Sequence, residues 1–254
     1  MQTLCGIAQA AGREIMAVYA SGDIASWCKD DQSPLTAADL RADAAIRAGL
    51  ERAFPGVYVL SEESQSQGVA GDTFFLVDPL DGTKEFLKRN DEFTVNIALV
   101  TGGRVVAGVV QAPALGELFF GAEGLGAWRC TAAGDTEMKV SPRVEGQPLR
   151  VMGSRSHGGE ALGGWLAQLR GEHSFVAAGS SLKFCRIAQG LADVYPRHGP
   201  TCQWDTAAAQ AVLEQAGGRV VDATGQPLRY GPGRPLLNPF FMAVGDPSWP
   251  LPAL

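Results

Sequence analysis

The sequence FFLVDPLDGTKEF, residues 74–86, joins an apolar run to two aspartates, a proline and a glycine. The run predicts a buried strand with Asp78 at its tip. Pro79 disfavours helical backbone at the residue before it and so keeps Asp78 extended. Asp81 follows three residues on, across a predicted turn, so two carboxylates and the Leu80 carbonyl can converge. Gly82 permits an unusual φ and close approach of a ligand to the backbone. Thr83 can cap a short helix whose free N–H groups would face the same space and seat a phosphate. The plainer alternative is a turn and a cap with no ligand, since Asp-Pro and Asp-Gly are ordinary turn dipeptides.

The surroundings favour a ligand. Residues 62–92 contain eight acids (Glu62, Glu63, Asp72, Asp78, Asp81, Glu85, Asp91, Glu92) against three bases. Carboxylates crowded at strand ends need neutralising, and a hard divalent cation bound through oxygen does this. LSEES, residues 60–64, puts Glu62 and Glu63 after another apolar strand, within reach of Asp78, or else in a solvated loop. WDTAAAQAVLEQAGG, residues 204–218, sets Asp205 at the start of a helix, as a ligand or as its N-cap. Thr36 and Asp39 are spaced as a capping box.

Organisation follows from the change of hydrophobic period. Leu4, Ile7, Ala8, Ala11, Ile15 and Val18 predict a helix over residues 3–20. A second helix is expected from Thr36 to Arg52, with Leu40, Ala44, Ile46 and Leu50 on one side. Strands are expected at 57–60, 74–78, 93–100, 104–112 and 116–121, with Gly102-Gly103 as a hairpin turn. Residues 131–148 are polar and broken by Gly and Pro, and predict a boundary between an α+β domain (1–148) and an α/β domain (149–254). Beyond it, strands at 149–154, 174–179 and 219–223 alternate with helices at 159–171, 181–190 and 204–218, with the short segments DVYP (193–196) and FFMAVG (240–245) among them, which suggests a mixed sheet.

Composition bounds the function. The chain has 254 residues, 46% of them hydrophobic and 19% charged, which is a folding composition. Its net charge of −6 argues against a nucleic-acid binder. Uncharged stretches stay short of the roughly 18 residues that span a bilayer, and residues 1–20 lack the pattern of a signal peptide. Five scattered cysteines with no C-x-x-C pair predict neither a disulfide scaffold nor a zinc site, and fit a reducing cytoplasm.

The segments DPLDGT and WDTAAAQAVLEQAGG, with the upstream Glu pair, resemble the signature set of the inositol monophosphatase-like, lithium-sensitive, magnesium-dependent phosphatases. DPLDGTKEFLKRNDEFTVNIALV, GSSLKFCRIAQGLADVYPR and GPTCQWDTAAAQAVLEQAGG are similar to one branch, the bacterial 3′(2′),5′-bisphosphate nucleotidases. The resemblance runs over nearly the whole chain. It implies a two-domain layered αβαβα sandwich and two or three Mg²⁺ ions held by Glu62, Asp78, the Leu80 carbonyl, Asp81 and Asp205. It also implies that Thr83 and Asp39 orient the attacking water. The implied reaction removes the 3′-phosphate of 3′-phosphoadenosine 5′-phosphate, giving AMP. The implied setting is cytoplasmic, free or held peripherally at the inner membrane, as a monomer or homodimer.

Substrate contacts are expected from the second half. Ser180, Ser181, Lys183 and Arg186 stand at a helix start suited to a second phosphate, although Lys183 and Arg186 also read as a solvated helix face. Arg197 lies in a loop shortly before Asp205. With Gly82 and Thr83, the resemblance adds the loop GSRSH (153–157), with Ser154, Ser156 and His157 near ribose and base. His157 and His198 otherwise read as surface histidines. An inositol or fructose-bisphosphate type sugar phosphatase is the competing enzyme reading. A serine hydrolase lacks a G-x-S-x-G elbow, and a dinucleotide-binding module lacks a G-x-G-x-x-G turn. A regulator that binds metal or nucleotide without turnover is the remaining class.

Overall fold

The computed structural model describes residues 1–21, 26–28, 34–64, 66, 71–154 and 160–254. In chain order the first part contains α1 (Gln2–Ser21), the short hairpin β1 (Ser26–Cys28) and β2 (Pro34–Thr36), α2 (Ala37–Ala53), β3 (Tyr58–Ser61), β4 (Thr73–Asp81) and α3 (Thr83–Lys88). The strands β5 (Thr94–Thr101), β6 (Arg104–Ala112), β7 (Glu117–Ala122), β8 (Gly126–Thr131) and β9 (Gly134–Met138) follow. The second part runs β10 (Leu149–Ser154), α4 (Glu160–Leu166), β11 (His173–Ala178), α5 (Leu182–Ala188), β12 (Val194–Arg197), α6 (Gln203–Gln215), β13 (Arg219–Asp222) and β14 (Phe241–Val244).

Strands β3 to β9 form one sheet in sequence order, parallel between β3 and β4 and antiparallel elsewhere. The second sheet has the order β11-β10-β12-β14-β13 and is mixed, as expected. Apolar side chains of the larger sheet divide between its faces. Phe75, Val77, Ile97 and Val109 pack with α1 and α2. Phe74, Leu76, Ala98 and Val110 join Phe184 of α5, the alanines of α6 and Tyr195 and Phe241 of the smaller sheet. The outer face of that sheet is covered by Trp165 of α4 and the C-terminal segment. The layers are therefore αβαβα. Burial on both faces explains why β4 reads as an unbroken apolar run.

Helix α6 lies almost in contact with the larger sheet because glycines face it. A Cβ on Gly108 would fall 2.2 Å from the Ala208 carbonyl oxygen, and one on Gly121 would fall 2.7 Å from that of Ala211. The Gly102-Gly103 hairpin has φ of 57° and 75°, the left-handed pair that a two-residue turn requires.

Three expectations need correction. Leu40 is 49% exposed and Ala44 is also on the solvent side; Ile46 and Leu50 are buried as expected, but Ala38 and Ala42 complete the stripe, with Asp39 and Asp43 on it. The polar segment 131–148, where a domain boundary is expected, contains β9, and β8 precedes it outside the expected strands; β9 is an edge strand with only Met138 buried, so it carries no apolar alternation. Helix α4 is shorter than its predicted span. No described helix is long and apolar enough to cross a membrane.

Candidate metal centre and active site

Strand β4 does not end at Asp78. It continues to Asp81, and the register shifts between them: Asp78 pairs with Asn96 and Asp81 with Thr94. Three steps on one strand against two on the other is a one-residue bulge, not the predicted turn. In a regular strand residues three apart point to opposite faces. The bulge removes that conflict, and both aspartates line one cleft of about 230 Å³. The Leu80 N–H donates to Asp78 Oδ1 at 3.0 Å, fixing the bulge and the carboxylate together.

Glu62 joins from β3. Its N–H donates to the Val77 carbonyl at 3.1 Å, one residue beyond the Ser61–Val77 pair, which sets it beside Asp78. The turn after β3 is tied to α2 by Asp43, whose oxygens accept from Ser61 Oγ and Ser64 Oγ at 2.6 Å each. Asp205 arrives from the second half. It is the third residue of α6, not its cap, and its Oδ2 accepts the Cys202 N–H at 2.8 Å. Gln203 and Asn238 brace this helix start: Gln203 Nε2 donates to the Gly231 and Pro235 carbonyls, and Asn238 Nδ2 to Cys202 O at 2.7 Å. One ligand atom each from Glu62, Asp78 and Asp205 lie within 4.8 Å of one another.

Asp81 faces the same cleft but turns Oδ2 toward the second half, where it accepts the Ser181 N–H at 2.6 Å. Asn96 Nδ2 and Thr94 Oγ1 approach the same oxygen at 3.4 and 3.5 Å. Ser181 Oγ in turn donates to Asn96 Oδ1 at 2.8 Å.

The electrostatics are those of unneutralised acids. Burial, then the charges of Glu62, Asp81 and Asp205, hold Asp78 well above the carboxylate range. Burial raises Asp81 to about 6 against the opposing Lys183 charge. Burial and the Asp81 charge raise Asp205 to about 8. An all-oxygen, acidic donor set in a polar cleft fits a hard divalent cation.

The chemistry at the cleft edge is shared between α2 and α3. Thr83 Oγ1 lies 3.4 Å from Asp39 Oδ1 and 3.3 Å from the Leu80 carbonyl, and can donate its one proton to either. Asp39 also makes the capping box: its Oδ2 accepts from Thr36 N at 2.8 Å and Thr36 Oγ1 at 2.6 Å. Thr83 is not the cap of α3. Gly82 takes that place, with φ of 88°.

Of the expected substrate residues, Gly82, Thr83, Ser154, Ser180, Lys183 and Arg197 all line the cleft. Lys183 is 4% exposed, so it is not on a solvated face. Its Nζ donates to the carbonyls of Ala178 and Ser180, and burial lowers its pKa to about 8 against the Asp81 charge. Arg197 is 7% exposed, donates through Nη2 to the Pro200 carbonyl at 2.9 Å, and keeps Nε buried with no hydrogen-bond partner among the described residues. Arg186 is brought elsewhere: it pairs with Glu117 at 2.6 Å, which Arg129 shares. His198 is half-buried and lines a smaller cavity beside Ser154 and Arg197. Ser156 and His157 lie outside the described residues. Asn96, Thr94, Gln203 and Asn238 were missed because each acts across the chain; only the small polar residues inside the apolar strand TVNIALV hinted at a site.

Residues 1–245 match the sequence model of the inositol monophosphatase family. The chain is 44% identical over 245 residues to the 3′(2′),5′-bisphosphate nucleotidase CysQ of Salmonella typhimurium, covering 95% of this chain and 98% of that one. The CysQ of Escherichia coli K12 is 45% identical over 247 residues with the same coverage. The crystal structure of CysQ from Bacteroides thetaiotaomicron, a bacterial member of the inositol monophosphatase family, superposes with a TM-score of 0.83 at 38% identity over 96% of each chain.

Proposed function

Because the chain belongs to the inositol monophosphatase family, we propose that it is a magnesium-dependent 3′(2′),5′-bisphosphate nucleotidase that converts 3′-phosphoadenosine 5′-phosphate to AMP and phosphate. The observation that carries this reading is the pairing of two opposite charges in one cleft. Carboxylates from both halves of the chain face it, and Lys183 and Arg197 stand buried beside them. The carboxylates suit a cation under the scissile phosphate, and the two cations suit a second phosphate on the same substrate.

On this reading Glu62, Asp78, the Leu80 carbonyl, Asp81 and Asp205 hold two or three Mg²⁺ ions. Bound there, the metal lowers the pKa of water and offsets charge on the departing ribose oxygen. Thr83 and Asp39 manage the proton. The attacking water gives its proton to Thr83 Oγ1 while the Thr83 hydroxyl passes its own to Asp39 Oδ1, the contact seen at 3.4 Å. Gly82 leaves the backbone open to the phosphate. Ser154 approaches ribose and base, and Ser180, Lys183 and Arg197 take the 5′-phosphate. No covalent intermediate is required. The enzyme works in the cytoplasm as a monomer or homodimer. A division near residue 148 is supported by the two sheets, which share no strand among the described residues.

The test is a Mg²⁺-dependent turnover panel of 3′-phosphoadenosine 5′-phosphate, inositol 1-phosphate and fructose 1,6-bisphosphate. The nucleotide is expected to have the highest kcat/KM. A preference for either sugar phosphate would replace this reading with the sugar-phosphatase one.

A further inference from the structure

Glu92, just before β5, and the segment Gly179–Ser181, between β11 and α5, come from different halves of the chain and meet without room for a side chain. Glu92 Oε2 accepts the Gly179 N–H at 2.8 Å. A Cβ on Gly179 would lie 2.6 Å from Glu85 Cγ and 2.7 Å from the Glu92 carbonyl oxygen, so glycine is required here by packing. Two residues on, the Ser181 N–H is held by Asp81 Oδ2 at 2.6 Å. Ser180 between them has φ of 45°, a left-handed conformation that costs a non-glycine residue energy and persists where its neighbours are fixed. The Lys183 ammonium then donates to the carbonyls of Ala178 and Ser180, on either side of Gly179. The peptide units that seat Lys183 are thus the ones pinned by Glu92 and Asp81.

Glu92 is itself braced. The turn before it contains Arg89 and Asp91 with φ of 56° and 67°. Tyr19, in the last turn of α1, holds both: its hydroxyl donates to Asp91 Oδ1 at 2.8 Å, and its carbonyl accepts Arg89 Nη2 at 2.9 Å. The Arg89 guanidinium lies 4.3 Å from the Tyr19 ring centre. The Glu92 N–H is fixed on Asn90 Oδ1 at 3.1 Å. A chain of contacts therefore runs from α1 to Lys183 without passing through the cation-facing carboxylates.

We infer that Glu92 is a positioning residue for substrate choice: by holding the Gly179 amide it sets where Ser180 and Lys183 meet the second phosphate. This rests on the bisphosphate reading above. A role confined to folding would weaken all substrates alike, whereas positioning of one subsite separates substrates that fill it from those that do not.

The experiment is steady-state kinetics of the full-length, Mg²⁺-loaded wild type, Glu92→Ala and Glu92→Gln on 3′-phosphoadenosine 5′-phosphate and on 3′-AMP, which lacks the 5′-phosphate. Loss of a hydrogen bond to a charged acceptor predicts that Glu92→Ala raises KM for the bisphosphate about tenfold or more, with kcat within about threefold and KM for 3′-AMP within about twofold. Glu92→Gln keeps an acceptor and is expected to restore most of the difference. Amide hydrogen exchange over residues 179–183 is expected to quicken in Glu92→Ala. Equal KM changes on both substrates, a loss in kcat alone, or Gln no better than Ala would overturn the inference. If Glu92→Ala does not fold, Glu92→Asp decides, since its shorter side chain draws the carboxylate back from the Gly179 N–H: a raised bisphosphate to 3′-AMP KM ratio supports the role, and an unchanged ratio with unchanged exchange rejects it. A wild type with no preference for the bisphosphate would overturn the nucleotidase reading as well; a preferring wild type whose ratio Glu92→Ala leaves intact would overturn only the role of Glu92.

Discussion

Asp39 and Thr83 stand 44 residues apart in the chain and meet at 3.4 Å through Asp39 Oδ1, while Asp39 Oδ2 holds the cap of α2. One carboxylate thus serves the helix start with one oxygen and the cleft with the other. An asparagine can keep its oxygen on Thr36 but then presents an N–H₂ group to Thr83, where an acceptor is needed. Asp39→Asn is therefore expected to lose about 10²–10⁴ in kcat, the range for a general base, and to melt near the wild type. Thr36→Ala should do the reverse, costing about 1 kcal/mol of stability with most turnover retained. Paired kcat and melting measurements check this; Asp39→Asn with normal kcat would reduce Asp39 to a cap.

Removing metal should expose the repulsion among the carboxylates. Asp81 is raised to about 6 and Asp205 to about 8, against about 3.9 for an unfolded aspartate. Between these values the folded chain binds more protons than the unfolded one, so this contribution to stability is full at low pH and is lost as pH rises through 6 and 8. Lys183, lowered to about 8, works the other way above that pH and closes the window. Chelated protein is expected to melt lower near pH 8 than near pH 5.5, and Mg²⁺ to raise the melting point more at the higher pH. A chelated protein that melts higher near pH 8 would contradict this.

The seat of α6 on the larger sheet should carry over to the metal centre. Gly108→Ala places a methyl 2.2 Å from the Ala208 carbonyl oxygen, and overpacking of this kind costs about 1–3 kcal/mol. Since α6 bears Asp205, the Mg²⁺ concentration for half-maximal activity should also rise. Gly163→Ala, which would meet nothing within 4 Å, is the control and should be near neutral in both readouts.

Lys183→Ala should weaken the 3′,5′-bisphosphate more than inositol 1-phosphate, and equal losses would remove Lys183 from the second-phosphate role. Lithium, similar to Mg²⁺ in size but with half its charge, should inhibit turnover at millimolar concentration; undiminished activity would separate this chain from the behaviour its motifs imply.

The sequence made the local parts of this molecule readable. The period of α1, the apolar strands, the Gly102-Gly103 turn and the acids at 62, 78, 81 and 205 are all patterns within short windows. What escaped is non-local. Asp78 and Asp81 share a face because of a bulge set by pairing with β5, which no spacing rule reveals. Leu40 looked like a core residue, yet the buried stripe of α2 runs through Asp39 and Asp43, whose carboxylates are held by Thr36, Ser61 and Ser64. Strand β9 was hidden because an exposed edge needs no apolar alternation. Lys183 looked solvated because the carbonyls of Ala178 and Ser180 that hold it are presented only when the segment before α5 folds over it.

On the proposed mechanism, carboxylates from both halves grip the cation that drives phosphate release. Phosphate release from 3′-phosphoadenosine 5′-phosphate, measured for the wild type and Asp205→Ala over a Mg²⁺ titration, tests it most directly. Release that needs Mg²⁺ and is lost in a folded Asp205→Ala is the expected result. Release without any divalent cation, or a variant as active as the wild type at every Mg²⁺ concentration, would contradict it.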